Sequence, residues 1–370
     1  MPTNRLYFID VVRAFAILMM LQGHFIDTLL AVEFRDPNSI IFSIWQYFRG
    51  ITAPMFFTIS GLIFTYLLYK AQDRGTAAVR IRKGISRGFM LIGVGYLLRI
   101  PIFRWFTGQF DTYFLVIDVL QCIGLSLILI VLFYKLTRES QLFFSILMLF
   151  LGVTIFLFEP FYRTYDAAGI PLVIANYLTK ENGSIFTIIP WFGYMALGAF
   201  MSTLFHRFLK KSNFKFMMVI VLITFGLLLV NFSTLFFKFT GQLLNFQLLI
   251  DVSNFNYLFI RLGNVFVIFG LIYAFENYLK QSLILKIGQK TLSIYVIHFV
   301  VLYGSFTGWG LNRILGKNLT SYEAIFGAIL FLSIVSLVAI KRVWANNYMY
   351  QTILIRIGQL KQFINSLRMR

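Results

Sequence analysis

A histidine and a carboxylate three residues apart, His24 and Asp27, share one apolar stretch with Asp10 and Arg13: IDVVRAFAILMMLQGHFIDTLL, residues 9–30. An imidazole beside a carboxylate is equipped to accept a proton near neutral pH. A guanidinium is suited to holding an anion or a phosphate. Successive helical residues turn by about 100°, so the eleven residues from Arg13 to His24 make close to three turns, a rise of about 16 Å. Asp10 precedes Arg13 by three and Asp27 follows His24 by three, so all four fall in one sector of a helix. The simpler readings are an Asp10–Arg13 ion pair that positions a helix end, and a His24 that is a hydrogen-bonded packing residue.

Other chemically capable side chains recur in apolar surroundings. His298 lies in TLSIYVIHFVVLYGS, on one helical face with Thr291 and Ser305, and with Tyr295 three residues before it. Arg49 opens FRGITAPMFFTISGLIF, where Ser60 and Gly61 suit close helix contact. Asp118 and Gln121 are three apart in VIDVLQCIGLSLILI, and Arg261 and Asn264 are three apart farther on. His24, Asp27, Arg49, Asp118, Gln121, Arg261 and His298 are all expected at a similar depth, so a shared hydrated cavity is the economical account. A polar clamp between helices is the alternative for Asp118 and Gln121, and a structural role is the alternative for His298. The third histidine, His206, is expected to be solvated in a basic loop, and Trp191 is expected to anchor an interface. No closely spaced set of His, Cys and carboxylate ligands suggests a metal site, and no glycine loop follows a strand.

The elements that must position these groups are membrane helices. Of 370 residues, 59% are hydrophobic and 13% charged, a balance foreign to a soluble domain of this size. Apolar runs of membrane-spanning length recur along the chain. Ten spans are predicted, over 8–31, 46–69, 86–105, 113–134, 142–158, 186–206, 214–235, 257–278, 291–308 and 323–341. The net charge of +19 would suggest nucleic acid in a soluble protein. Here the basic residues cluster between spans: with both termini cytoplasmic, 22 of the 33 Lys and Arg fall on the inner side and eight on the outer, the pattern of the positive-inside rule. The expected fold is therefore an all-α polytopic membrane helix bundle, one transmembrane domain over 1–345. A basic amphipathic tail, 346–370, is expected on the inner leaflet. The first apolar run lacks a small-residue cleavage site and reads as a retained span. The outer connections 159–185 and 236–256 are long enough to cover or line a site. The single cysteine, Cys122, precludes an intramolecular disulfide, and no internal repeat of the transporter kind is visible.

The segment IDVVRAFAILMMLQGH resembles the first-helix signature of multi-span membrane acyltransferases: a basic residue, ten intervening residues and a histidine, matched by Arg13 and His24. FRGITAPMFFTISGLIF is similar to their second-helix segment. VLQCIGLSLILI, IIPWFGYMALGAF and LSIYVIHFVV look closest to the heparan-α-glucosaminide N-acetyltransferase catalytic-domain branch, with acyltransferase family 3 as near neighbour. The resemblance runs over roughly residues 5–340. It implies a cytoplasmic acyl donor, usually acetyl-CoA, an acceptor sugar on the far side, a catalytic role for His24, and donor handling by Arg13. On that footing His24 is expected as base with Asp27 as its orienter, and His298 with Arg49 or Arg261 as oxyanion stabilisers. Asp118 and Gln121 join Arg49 and Arg261 as substrate contacts, and Asp10, Arg82, Lys83 and Arg87 join Arg13 near the CoA phosphates. The expected setting is an integral, multi-pass protein of the plasma (inner) membrane modifying envelope carbohydrate. Its expected partners are acyl-CoA, a glycan acceptor and membrane lipid, with no nucleic acid or metal, in a monomer or homodimer. A transporter of a small polar or sugar-like solute would use the same cavity without chemistry.

Overall fold

The computed structural model describes residues 6–341; the amphipathic tail expected over 346–370 lies outside them. Every regular element among the described residues is a helix. The principal ones are α1 (Tyr7–Leu29), α2 (Ile40–Gln72), α3 (Ala77–Arg99), α4 (Val119–Leu136), α5 (Gln141–Leu157), α6 (Ile188–Phe208), α7 (Phe214–Leu243) and α8 (Tyr257–Ala274), followed by α9 (Ser282–Gln289), α10 (Thr291–Tyr303) and α11 (Ser321–Lys341). Seven described helices are long and apolar enough to cross a bilayer, and eight if α9 and α10, bent by 71° at their junction, form one span. The predicted count of ten is higher for two physical reasons. Helix α5 has 17 residues, short of the roughly 20 that span the hydrocarbon. Helix α3 starts nine residues earlier than the predicted span and carries Arg80, Arg82, Lys83 and Arg87 in its first half.

Helix α2 has 33 residues, about 50 Å at 1.5 Å per residue. That exceeds the roughly 30 Å of hydrocarbon. Its first turns carry Ile40, Ile41, Ile44 and Tyr47 exposed on the surface of the bundle, and Arg49 follows them in the helix. Helices α2 and α6 are pressed together where each has a glycine. A Cβ on Gly61 would lie 2.0 Å from the Met195 carbonyl oxygen, and one on Gly198 would lie 1.9 Å from that of Thr58. Only glycine permits backbones this close, the device by which membrane helices associate.

Helix α1 runs through the middle of the assembly. Its buried residues include Phe8, Ile9, Val12, Ala16, Ile17, Leu21 and Phe25, and it packs on α2, α9 and α10. The carboxylate of Glu276, before α9, accepts from the Phe8 amide at 2.9 Å and pairs with Lys215 at 3.3 Å. It thereby satisfies one of the amide donors left open at the start of α1. The sharp turn between α9 and α10 sets Thr291 at the head of α10 against α1.

Two connections differ from expectation. Residues 159–185 hold two short helices, Glu159–Arg163 and Leu172–Leu178, and most of 236–256 is helical, in the end of α7 and in Gln247–Asn254. His206 is not in a solvated loop. It lies in the last turn of α6, half-buried, with Nε2 at 2.8 Å from Asp73 and its ring against Tyr66 and Tyr69. Trp191 is likewise interior, packed on Phe57 and Phe186 with ring centroids 5.2 and 4.7 Å away.

Candidate active site

The two histidines inside spans meet. The rings of His24, on α1, and His298, on α10, have centroids 5.3 Å apart. His24 Nδ1 lies 2.8 Å from the Tyr303 hydroxyl, which also receives a contact from Thr28 at 3.4 Å. The hydrogen-bond partner of His24 is thus Tyr303, whereas the sequence pointed to Asp27. Asp27 is taken up by arginines: Arg49 Nη2 at 2.5 Å and Arg35 Nη1 at 3.7 Å. The reason is direction. Asp27 sits one turn beyond His24, at the open rim, where Arg49 from α2 and Arg35 from the connecting segment reach it.

His298 is fully buried, and neither of its ring nitrogens has a side-chain partner or a well-formed hydrogen bond, only the backbone of Ile294 and Tyr295 one turn back approaching the ring. An unpaired polar group of this kind costs about 1–3 kcal/mol, so a buried imidazole left open beside a second one marks a place where a ligand atom can bind. The Tyr295 ring packs edge-on against His298, with centroids 4.9 Å apart, and its hydroxyl lies beside the Asp118 carboxylate. Asp118 in turn accepts from Arg99 Nη2 at 3.0 Å, both side chains being almost wholly buried. The Arg99 guanidinium also lies over the Tyr113 and Phe299 rings at 5.0 and 5.9 Å.

Asp118 caps α4. Its carboxylate accepts from the Val119 amide at 2.8 Å, and Gln121 Oε1 accepts from the Asp118 amide at 3.3 Å, a reciprocal capping box. Gln121 is fully buried and wedged against Gly95, where a Cβ would meet its Oε1 at 2.3 Å. Its amide is committed to structure and is not open to a substrate.

A cavity of about 120 Å³ runs between α1, α2, α3, α4 and α10. It is lined by the cationic Arg13, Arg80 and Arg87 with Thr291, by an apolar wall that includes Ile17, Met20, Ile59, Ile63 and Leu91, and by Leu120 and Tyr295. Arg13 donates to the Thr291 hydroxyl at 2.7 Å and stands 3.9 Å from Asp10. Arg80 and Arg87 have no carboxylate partner among the described residues, and Arg80 Nε has no partner at all. Arg82 and Lys83, expected beside the donor phosphates, are exposed and do not line the cavity, whereas Arg80 does. The cavity thus brings three arginines and Tyr295, the residue that touches His298, around one space.

The single cavity expected to hold seven polar groups resolves into neighbouring clusters. His24, His298, Tyr303, Tyr295, Asp118 and Arg99 form one. Asp27, Arg49 and Arg35 form a second at the rim. Arg261 belongs to a third: its guanidinium lies 5.0 Å over the Tyr257 ring and within 4 Å of where a Cβ on Gly50 would be. Sequence reasoning missed Arg99 and Tyr303. Arg99 falls near the far end of the predicted 86–105 span, and no spacing there singles it out. Tyr303 is 279 residues from His24 in the chain, and no local spacing connects the two.

A family model described as "Heparan-alpha-glucosaminide N-acetyltransferase, catalytic" matches residues 5–237, more than half of the chain. The match includes Arg13, His24, Arg49, Arg99 and Asp118; His298 and Tyr303 lie beyond it. No curated protein gives a significant match.

Proposed function

The chain belongs to the heparan-α-glucosaminide N-acetyltransferase catalytic family, and from that premise we propose that it moves an acetyl group from acetyl-CoA in the cytoplasm to a hydroxyl or amine of a sugar on the outer side. It is an integral membrane protein and an enzyme of the acetyltransferase type. The orientation we favour puts both termini and the three-arginine mouth inside, as the distribution of Lys and Arg requires. The membrane is then the plasma (inner) membrane, and the acceptor is an envelope carbohydrate.

One observation carries the reading: the His24–His298 pair lies directly behind Tyr295, which lines an apolar cavity that also holds three arginines with little anionic compensation. Arg13, Arg80 and Arg87 suit the donor phosphates, because guanidinium groups bind phosphate by paired hydrogen bonds. The apolar wall suits the acyl thioester and the arm that carries it. His24 serves in the tautomer whose Nδ1–H donates to Tyr303, leaving the Nε2 lone pair free. That nitrogen takes the proton from the acceptor O–H or N–H as the acceptor atom bonds to the thioester carbonyl carbon. An N–H of His298 stabilises the resulting oxyanion. The C–S bond then breaks, the electron pair leaves on sulfur, and the thiolate recovers the proton from His24.

The test is acetyl transfer by the purified full chain in nanodiscs, with radiolabelled acetyl-CoA and a sugar acceptor, alongside release of the CoA thiol. His24→Ala should lower turnover by about 10²–10⁴-fold with donor binding retained. Wild-type turnover in that variant would sink the mechanism.

A further inference from the structure

A second cavity, about 190 Å³, opens at the end of the bundle away from the arginine mouth, between the short helix Glu159–Arg163, the segment Thr179–Glu181 and the starts of α6 and α8. We propose that it holds a sugar unit of the acceptor other than the one acylated, so that the acceptor is an oligosaccharide or glycan chain and not a free monosaccharide. The proposal rests on the acyltransferase reading and deepens it by naming the acceptor class.

The cavity is lined for hydroxyl groups. Thr179 is 5% exposed, and its hydroxyl has no hydrogen-bond partner. Glu159 is 4% exposed although it carries a carboxylate. Its pairing with Arg163 is loose at 3.7 Å, and the Tyr257 hydroxyl lies beside it. Burial raises the Glu159 carboxyl above its ordinary value, with Arg163 opposing. Burial, then Arg261, lowers the Lys180 ammonium. The Glu159 carboxylate therefore stands where water is scarce, and Lys180 reaches the same cavity from an exposed position, so a polyol entering from outside meets both. Three tyrosines, Tyr162, Tyr165 and Tyr257, line the space and give it aromatic walls of the kind a pyranose packs against. A donor, an acceptor and aromatic faces around a space that holds on the order of a dozen waters describe a carbohydrate site.

A succession of side-chain contacts leads from the wall of this cavity to the histidine helix. Arg49 pairs with Asp27, one turn from His24. Gly50, the next residue, abuts the Arg261 guanidinium, and Arg261 stacks on Tyr257 in the cavity wall. A chain of linked sugars with one residue at His24 and another beside Glu159 would lie along Arg49 and Arg261. That gives the two arginines a role the histidine cluster does not.

The experiment compares acceptors of different length. Glucosamine is set against maltotriose, cellotriose and chitotriose, with the full chain in nanodiscs. Glu159→Gln and Lys180→Ala should each raise KM for the trisaccharides that serve as acceptors by about tenfold, leaving kcat/KM for glucosamine and KM for acetyl-CoA unchanged. In parallel, trisaccharide is titrated into the His24→Ala protein without donor, following tryptophan fluorescence, since Trp191 adjoins Pro190 in the cavity floor. Saturable binding that disappears in the Glu159→Gln/Lys180→Ala background supports the site. Absence of saturable binding by all three sugars, or parallel changes for glucosamine and trisaccharide, overturns it. Binding with the expected losses but no acetyl transfer would uphold the sugar site and reject the acyltransferase reading.

Discussion

Tyr303 holds one nitrogen of His24 and so decides which nitrogen is free to act. Tyr303→Phe removes that partner while keeping the ring that packs on Phe299 at 4.9 Å. The expected outcome is a kcat lower by about tenfold, part of the 10²–10⁴ that a positioned base contributes, with KM for both substrates little changed; steady-state kinetics on the purified variant reads it. Arg99 and Asp118 make a different kind of prediction. Both side chains are buried, so Asp118→Asn leaves the Arg99 charge without its counter-charge, a loss of about 3–5 kcal/mol. A thermal-unfolding midpoint in detergent should fall accordingly, and Arg99→Met/Asp118→Asn should recover part of the loss. At this scale the sequence was informative where function and helical spacing coincide. Arg13 and His24 were legible because eleven residues bring them to one face, and His298 because a histidine in an apolar run is costly without a use. Asp27 was read as the partner of His24 because its own partners, Arg49 and Arg35, come from other segments, and Tyr303 was invisible for the same reason.

Helices α2 and α6 meet through glycine. The Thr58 carbonyl lies 1.9 Å from where a Cβ on Gly198 would be, and it is backbone, so it cannot swing aside. Gly198→Val should force the pair apart and destabilise the protein by about 1–3 kcal/mol, the usual cost of overpacking. Gly93→Ala, with nothing within 4 Å of its new carbon, should leave the unfolding midpoint where it was. Helix existence was legible throughout, since uninterrupted apolar composition announces a span. Helix ends were less so. The predicted 86–105 became Ala77–Arg99 because the arginines at its start continue the helix, whereas Pro101 interrupts it. Nor could composition distinguish α5, shorter than its neighbours at 17 residues, from them. The capping box at Asp118 and Gln121 was read as two polar residues on one face. A capping box and an i,i+3 face pair have the same spacing, and only the location of the helix start separates them.

The whole molecule is asymmetric in charge, and the asymmetry makes an orientation testable. In a Cys122→Ser background, single cysteines replacing Lys83 and Glu181 should behave oppositely on intact cells. The Glu181→Cys site should react with a membrane-impermeant maleimide, and the Lys83→Cys site only after permeabilisation; the reverse labelling would invert the proposed direction of transfer. The same asymmetry orders the two cavities, one edged with arginine and the other lined with hydroxyl-seeking groups. Where the histidines come from along the chain has its own consequence. His24 belongs to α1 and His298 to α10, 274 positions later. A nascent polypeptide still short of that point owns only half of the pair, whatever its first segments have already inserted. Competence for transfer is thus acquired late in biosynthesis, and a product cut off after α7 would keep the stretch that identifies the family while lacking the residue that completes the dyad.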